Sequence, residues 1–149
     1  MNEAIREVYK QSRDAQDKYT YFMLTVAGAG IALSVNQTAG SALKWSQCPL
    51  GAAVLCWGLS FFCGARHLAY VASTLFANHT MLTVEAGLDP RAQEPWMMQA
   101  ASEGIRAAIQ GNSDKAVIYA RWQFRLLVTG AVLFVVWHVL EMWLRIPRH

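Results

Sequence analysis

Charge is missing from most of the apolar part of this 149-residue sequence. No Lys, Arg, Asp or Glu lies between Tyr19 and Leu43, none between Trp45 and Ala65, and only Glu141 between Leu126 and Leu144. Each gap is near or above the roughly 18 to 20 residues that cross the hydrocarbon core of a bilayer. Charged residues make up 15% of the chain, against about 25% in ordinary soluble domains. That deficit, with 54% hydrophobic residues and a positive mean hydropathy, argues against a soluble domain. The net charge of +3 is small and dispersed, which argues against a nucleic-acid partner.

Other absences narrow the chemistry. The three cysteines, Cys48, Cys56 and Cys63, form no CxxC pair, and their odd number argues against a closed disulfide framework. Cys56 and Cys63 share a face of one helix and read as small packing residues. No glycine-rich phosphate loop follows a strand, because no strand pattern occurs at all. No Ser/His/Asp or Cys/His set falls on one side of a membrane. His138 and Glu141 offer two metal ligands at helical spacing but lack companions. The expectation is a non-enzyme with no catalytic residues, no metal and no cofactor.

What is present is helical. Ile5, Val8, Tyr9, Ser12, Ala15 or Gln16, and Tyr19 recur at i, i+3, i+4 spacing, so the first segment is an amphipathic helix. Asn2 can cap it. No Pro or Gly interrupts residues 2–27, so one long helix is expected from about Glu3 to about Val35. A second helix starts near Leu50, with Pro49 in its first turn. It continues past Arg66 to about Ala86, where Gly87 is the expected C-cap. A short helix follows Glu94-Pro95 and is expected to end at Gly111. Asn112 or Ser113 then caps a new helix that runs into the last apolar stretch, and Pro147 ends it.

The chain therefore reads as an all-α integral membrane protein in one domain. Residues 1–18 form a cytoplasmic amphipathic helix continuous with the first span, 19–38. An outer loop, 39–49, leads to the second span, 50–66. Residues 67–125 form a small cytoplasmic layer of helical extensions and a short helix. The third span is 126–144 and the outer tail 145–149. The polar start is too long and too acidic for a cleaved signal peptide, so the first span is a retained anchor. With the N-terminus inside, Arg6, Lys10, Arg13, Lys18, Arg66, Arg91, Arg106, Lys115, Arg121 and Arg125 lie on the inner side. Lys44, Arg145 and Arg148 lie outside. That bias fits the positive-inside rule, with the C-terminus outside.

Three groups of residues are candidate sites. Gly28 and Ala32 on the first span, and Gly51, Gly58 and Ala65 on the second, line up small residues on helix faces where backbones approach closely. They serve either a homo-oligomer interface or packing within one chain. Arg66, His67 and Arg125 mark the inner border, as a lipid-phosphate site, a gate or snorkelling side chains. His138, Glu141 and Arg145 share one face of the third span. They form either a pore-mouth or proton-handling group or a polar cluster anchored by Trp137 and Trp143. Glu141 lies 16 residues beyond Arg125, roughly 24 Å along a core about 30 Å thick, so it belongs near the outer surface. The middle of every span is apolar, so any pore is narrow or hydrophobically gated. Trp96, Met97 and Met98 offer a docking face for a cytoplasmic protein partner.

The order of elements (amphipathic N-terminal helix, membrane hairpin, cytoplasmic helical extensions) resembles that of small multi-span membrane effectors of bacterial antiphage systems. The likeness lies in layout and transfers no site residues. It implies a bacterial inner-membrane protein in contact with lipid that self-assembles and perturbs the membrane as an antiviral defence effector. The functional expectation is a pore- or channel-like homo-oligomer. The alternative is an accessory or scaffolding subunit that binds a partner through its cytoplasmic helices.

Overall fold

The structure is a computed structural model that describes residues 3–40, 44–90 and 94–144. Asn2, Arg91, Arg145, Pro147 and Arg148 lie outside the described residues. The order is α1 (Glu3–Thr38), a 3-10 turn (Trp45–Gln47), α2 (Cys48–Glu85) and α3 (Pro95–Leu144), with no strand among the described residues. Two helices are long and apolar enough to cross a membrane: the stretch Trp45–Glu85, which includes α2, and α3. The apolar stretch of α1 is diluted by Tyr21, Thr20, Thr25 and Ser34, and α1 does not reach that standard.

Hydroxyl residues inside these helices turn back on their own backbone. Thr20 donates to the Gln16 carbonyl, Thr25 to Tyr21, Ser34 to Gly30 and Thr38 to Ser34, at 2.9–3.0 Å. This i−4 bonding satisfies the hydroxyl without a partner from another helix. Pro49 sits in the first turn of α2, as the sequence predicts. α2 ends on Gly87, whose φ of 69° is the left-handed C-cap conformation. Leu88 N–H bonds the Thr83 carbonyl and Gly87 N–H bonds that of Val84, which closes the last turn.

The expected break at Gly111 does not occur: α3 runs unbroken through Gly111, Asn112 and Ser113. Among the described residues, positive φ at glycine is confined to Gly40 and Gly87. A mid-helix glycine costs only about 1 kcal/mol. Across this segment Gln110 Nε2 donates to Asp114 at 3.0 Å, and Ala116 is buried immediately afterwards. Packing therefore outweighs the weak local signal.

The chain divides into two compact units, one of residues 1–64 with 122–149, the other of residues 65–121. The first unit is a three-helix bundle centred on Trp57 of α2, with Ala27 and Ala53 buried beside it and Ile31, Leu127, Leu133 and Phe134 around them. The Trp57 indole donates to the Leu127 carbonyl at 3.2 Å. Gly30 and Gly130 lie directly against its ring. A Cβ at Gly30 would come 2.8 Å from Trp57 Cε3, and one at Gly130 would come 2.6 Å from Nε1. Glycine is needed at both positions so that α1 and α3 can close on the indole. Phe134 and Trp137 continue the aromatic ladder, with centroid spacings of 5.7 and 5.6 Å.

The second unit is a helical hairpin made from the later half of α2 and the earlier half of α3. His67 Nδ1–H donates to the Ala116 carbonyl at 2.9 Å, which makes Nδ1 the protonated nitrogen. Tyr70 stacks on Tyr119 at 5.6 Å, and Arg106 pairs with Glu85 at 3.3 Å.

Candidate functional site

The small residues singled out from the sequence are not the ones that pack within the chain. A Cβ built at Gly28, Gly51 or Gly58 meets nothing within 4 Å. Ala32 and Ala65 are exposed. Close approach inside the bundle falls instead to Gly30, Gly64 and Gly130. Small-residue faces are thus left open on the first unit, at Gly28 and Ala32 of α1 and at Gly51 and Gly58 of α2, while Ala65 is exposed in the second unit. Gly51 also borders an open groove of about 540 Å³ that takes in Val35, Thr38, Gln47 and Leu55.

These faces sit in an apolar surface. The most apolar stretch of α2 is only 28% buried inside the chain, and that of α3 only 11%. The core helix of a soluble protein is mostly buried, because leaving a large aliphatic side chain in water forfeits about 1.5–3 kcal/mol. Here Leu55, Leu59, Phe61 and Phe62 of α2 and Val132, Val135, Val139 and Trp143 of α3 are all exposed.

At the end of the first unit that holds the 3-10 turn, Ser46 Oγ donates to Glu141 Oε1 at 2.7 Å. The loop thus holds the carboxylate, a partner that helical spacing could not reveal. His138 is exposed beside Trp137. Arg145 lies outside the described residues. Glu141→Gln is expected to leave assembly unchanged, because the amide oxygen still accepts from Ser46. Cross-linked oligomer yield checks this, and loss of the oligomer would give the carboxylate charge a larger role.

The inner-border residues belong to different units. Arg125 lies over the Trp122 ring at 5.7 Å in the first unit. Arg66 and His67 belong to the second unit. There Arg66 donates to the Tyr70 hydroxyl at 3.0 Å and lies over the rings of Tyr70 and Tyr119 at 5.1 and 6.0 Å. Lys115 approaches the same Tyr70 ring at 5.6 Å. Of the docking candidates, Trp96 is exposed while Met97 and Met98 are half-buried.

Gln123 is the residue that the spacing arguments missed. It is completely buried, and neither its amide nitrogen nor its amide oxygen has a partner among the described residues. Its backbone carbonyl accepts from Ser60 at 2.8 Å, and its amide lies against Gly64. An unpaired buried amide costs about 1–3 kcal/mol. Gln123→Met keeps the side-chain length and removes both orphan groups. It is expected to stabilise the chain by about 1–2 kcal/mol, read as a higher unfolding midpoint in detergent. A lower midpoint would mean that the amide contributes to folding.

Among the described residues no three His, Cys, Asp or Glu side chains converge as a metal site. No family model matches this chain, and neither a curated protein nor a solved structure matches it.

Proposed function

We propose that the chain is a three-span membrane protein, with α1 as the additional span, that self-assembles into a narrow pore- or channel-like oligomer. The observation that carries this reading is the pair of open small-residue faces, Gly28–Ala32 on α1 and Gly51–Gly58 on α2 (with exposed Ala65 further along α2), on helices whose apolar stretches are largely uncovered. Lipid covers most of such a surface. Helices associate in lipid where small residues let backbones touch. The bias of Lys and Arg supports a cytoplasmic N-terminus and an outer C-terminus. The layout it shares with membrane-perturbing effectors favours a bacterial inner membrane and a triggered defence role. At the level of Trp57 the bundle is plugged by aromatic and aliphatic side chains, which favours a pathway between subunits over one through a single bundle. The test is ion flux from liposomes containing the purified protein, with oligomeric state measured in nanodiscs. A closed ring of four or more subunits and leak above empty vesicles are expected. Vesicles that stay tight under every trigger applied would overturn the pore.

A second reading rests on the other unit. Phe76, Leu88 and Trp96 are 75%, 74% and 65% exposed there. Such side chains suit a scaffolding subunit that docks a protein partner. Cross-linking in intact cells separates the two: a specific second protein favours the scaffold, and self-contacts alone favour the pore.

A further inference from the structure

We propose that Arg66 and Lys115, carried on the Tyr70–Tyr119 stack, form a binding site for the phosphate of an anionic phospholipid head group. The inference rests on the membrane reading above and adds a ligand to it. Four observations converge, all within the second unit. The two cations approach one ring, with Arg66 Cζ at 5.1 Å and Lys115 Nζ at 5.6 Å from the Tyr70 centroid. Both distances are within the roughly 6 Å over which a ring face attracts a cation. The platform is built rather than fortuitous. His67, next to Arg66, donates to the carbonyl of Ala116, next to Lys115. That bond sets the register of α2 on α3, and Tyr70 and Tyr119, each one turn beyond it on its own antiparallel helix, lean back to stack on each other.

The cations are also uncompensated. Among the described residues neither has a carboxylate within ion-pair distance; the ion pair of this unit joins Arg106 to Glu85. Gathering two like charges on one ring pair costs free energy that an anion recovers. Arg66 donates to the Tyr70 hydroxyl at 3.0 Å and also interacts with Tyr119, and two tyrosines cannot use all five of its N–H donors. A guanidinium fork and an ammonium held within roughly 6 Å of one ring supply two cationic donors for a tetrahedral oxyanion.

Position along α2 selects the source of that anion. The uncharged stretch ends at Ala65. Tyr70 lies five residues later on the same unbroken helix, or roughly 7 Å along the axis. Head groups occupy roughly the 5–8 Å beyond each face of the hydrocarbon core. Measured along α2, Arg66 and Tyr70 therefore fall at the lipid phosphate layer, and the His67–Ala116 bond holds Lys115 of α3 at the level of Arg66.

The test uses the full chain in nanodiscs of mixed phosphatidylcholine and phosphatidylglycerol, with retained lipid read by native mass spectrometry. Wild type is expected to enrich phosphatidylglycerol. Arg66→Gln and Lys115→Gln are each expected to reduce that enrichment roughly fivefold, and the pair of substitutions to abolish it. Arg106→Gln, which removes a cation of the same unit, is expected to leave it unchanged. Enrichment that survives the double substitution, or that falls equally with Arg106→Gln, would overturn the site. Inorganic phosphate titrated against phosphatidylcholine-only nanodiscs distinguishes the sources. Saturable binding lost in the double variant would assign the site to a soluble phosphate and overturn the lipid assignment, whereas no binding supports it. Alkaline extraction separates this inference from the reading beneath it. Protein washed from the membrane overturns both, and inserted protein without anionic preference overturns only the head-group site.

Discussion

Trp57→Ala is expected to destabilise the bundle by about 3–5 kcal/mol, the range for removing a large buried aromatic side chain. The indole is 5% exposed and spans all three helices of its unit. It belongs to α2, abuts Gly30 of α1 and Gly130 of α3, and donates to the Leu127 carbonyl. Truncation opens a cavity and also leaves the Leu127 oxygen without this second donor. The reciprocal change, Gly30→Ala, adds one carbon 2.8 Å from a ring that cannot retreat, because Gly130 and Phe134 hold it on its other sides. Overpacking of this kind costs about 1–3 kcal/mol. The double substitution carries the sharper expectation. With the indole gone, the new methyl group at position 30 enters the vacated space, and alanine gains about 1 kcal/mol of helix propensity over glycine. Equilibrium unfolding in mixed detergent micelles should therefore show the double variant less destabilised than the summed singles, by about 1–3 kcal/mol. Strict additivity would mean that Gly30 and Trp57 do not share the contact.

The same pair explains what was legible in the sequence. The charge-free stretches located α2 and α3, because the absence of Lys, Arg, Asp and Glu over a span's length is a property of the residues alone. Gly87 was legible because a C-cap is local chemistry. The glycines were not. Gly28 and Gly30 are two residues apart, roughly 200° around a helix, and only the position of Trp57 decides which one is covered. Pattern reasoning favoured Gly28 with Ala32 at spacing four, yet it is Gly30 that packs inward. Gln123 was hidden for a related reason. It stands between Arg121 and Arg125 and looks interfacial, but the face it occupies is the one that Ser60 and Gly64 approach. The Ser46–Glu141 bond and the stacking of Tyr70 on Tyr119 are non-local, and no spacing rule reaches across such separations. Gly111 misled in the opposite sense. It offered a local stop signal that costs little, and helix packing overrode it.

The division of glycines into covered and open sets also yields the strongest test of assembly, the paired substitution Gly51→Leu and Gly58→Leu. A Cβ at either position enters open space and both positions are exposed, so a side chain there extends away from the protomer. Each change also exchanges the poorest ordinary helix former for one of the best, a gain of about 0.5–1 kcal/mol per site. The folded protomer is therefore expected to be at least as stable as wild type. Contact between copies is another matter. Backbones that meet over small residues must separate to admit two leucines, and the close packing that replaces a hydrophobic driving force in lipid is lost. Losing about 1.4–3 kcal/mol at that contact weakens association roughly 10- to 100-fold. The expected result is a monomer in nanodiscs, with unchanged helix content and a liposome leak reduced in proportion. Gly30→Ala should show the reverse pattern, with lower protomer stability but an intact interface. An oligomer that persists in the double-leucine variant would show that these faces look onto lipid alone. Loss of the oligomer with full retention of flux would move the conducting path from the ring into the single bundle, past the apolar plug at Trp57.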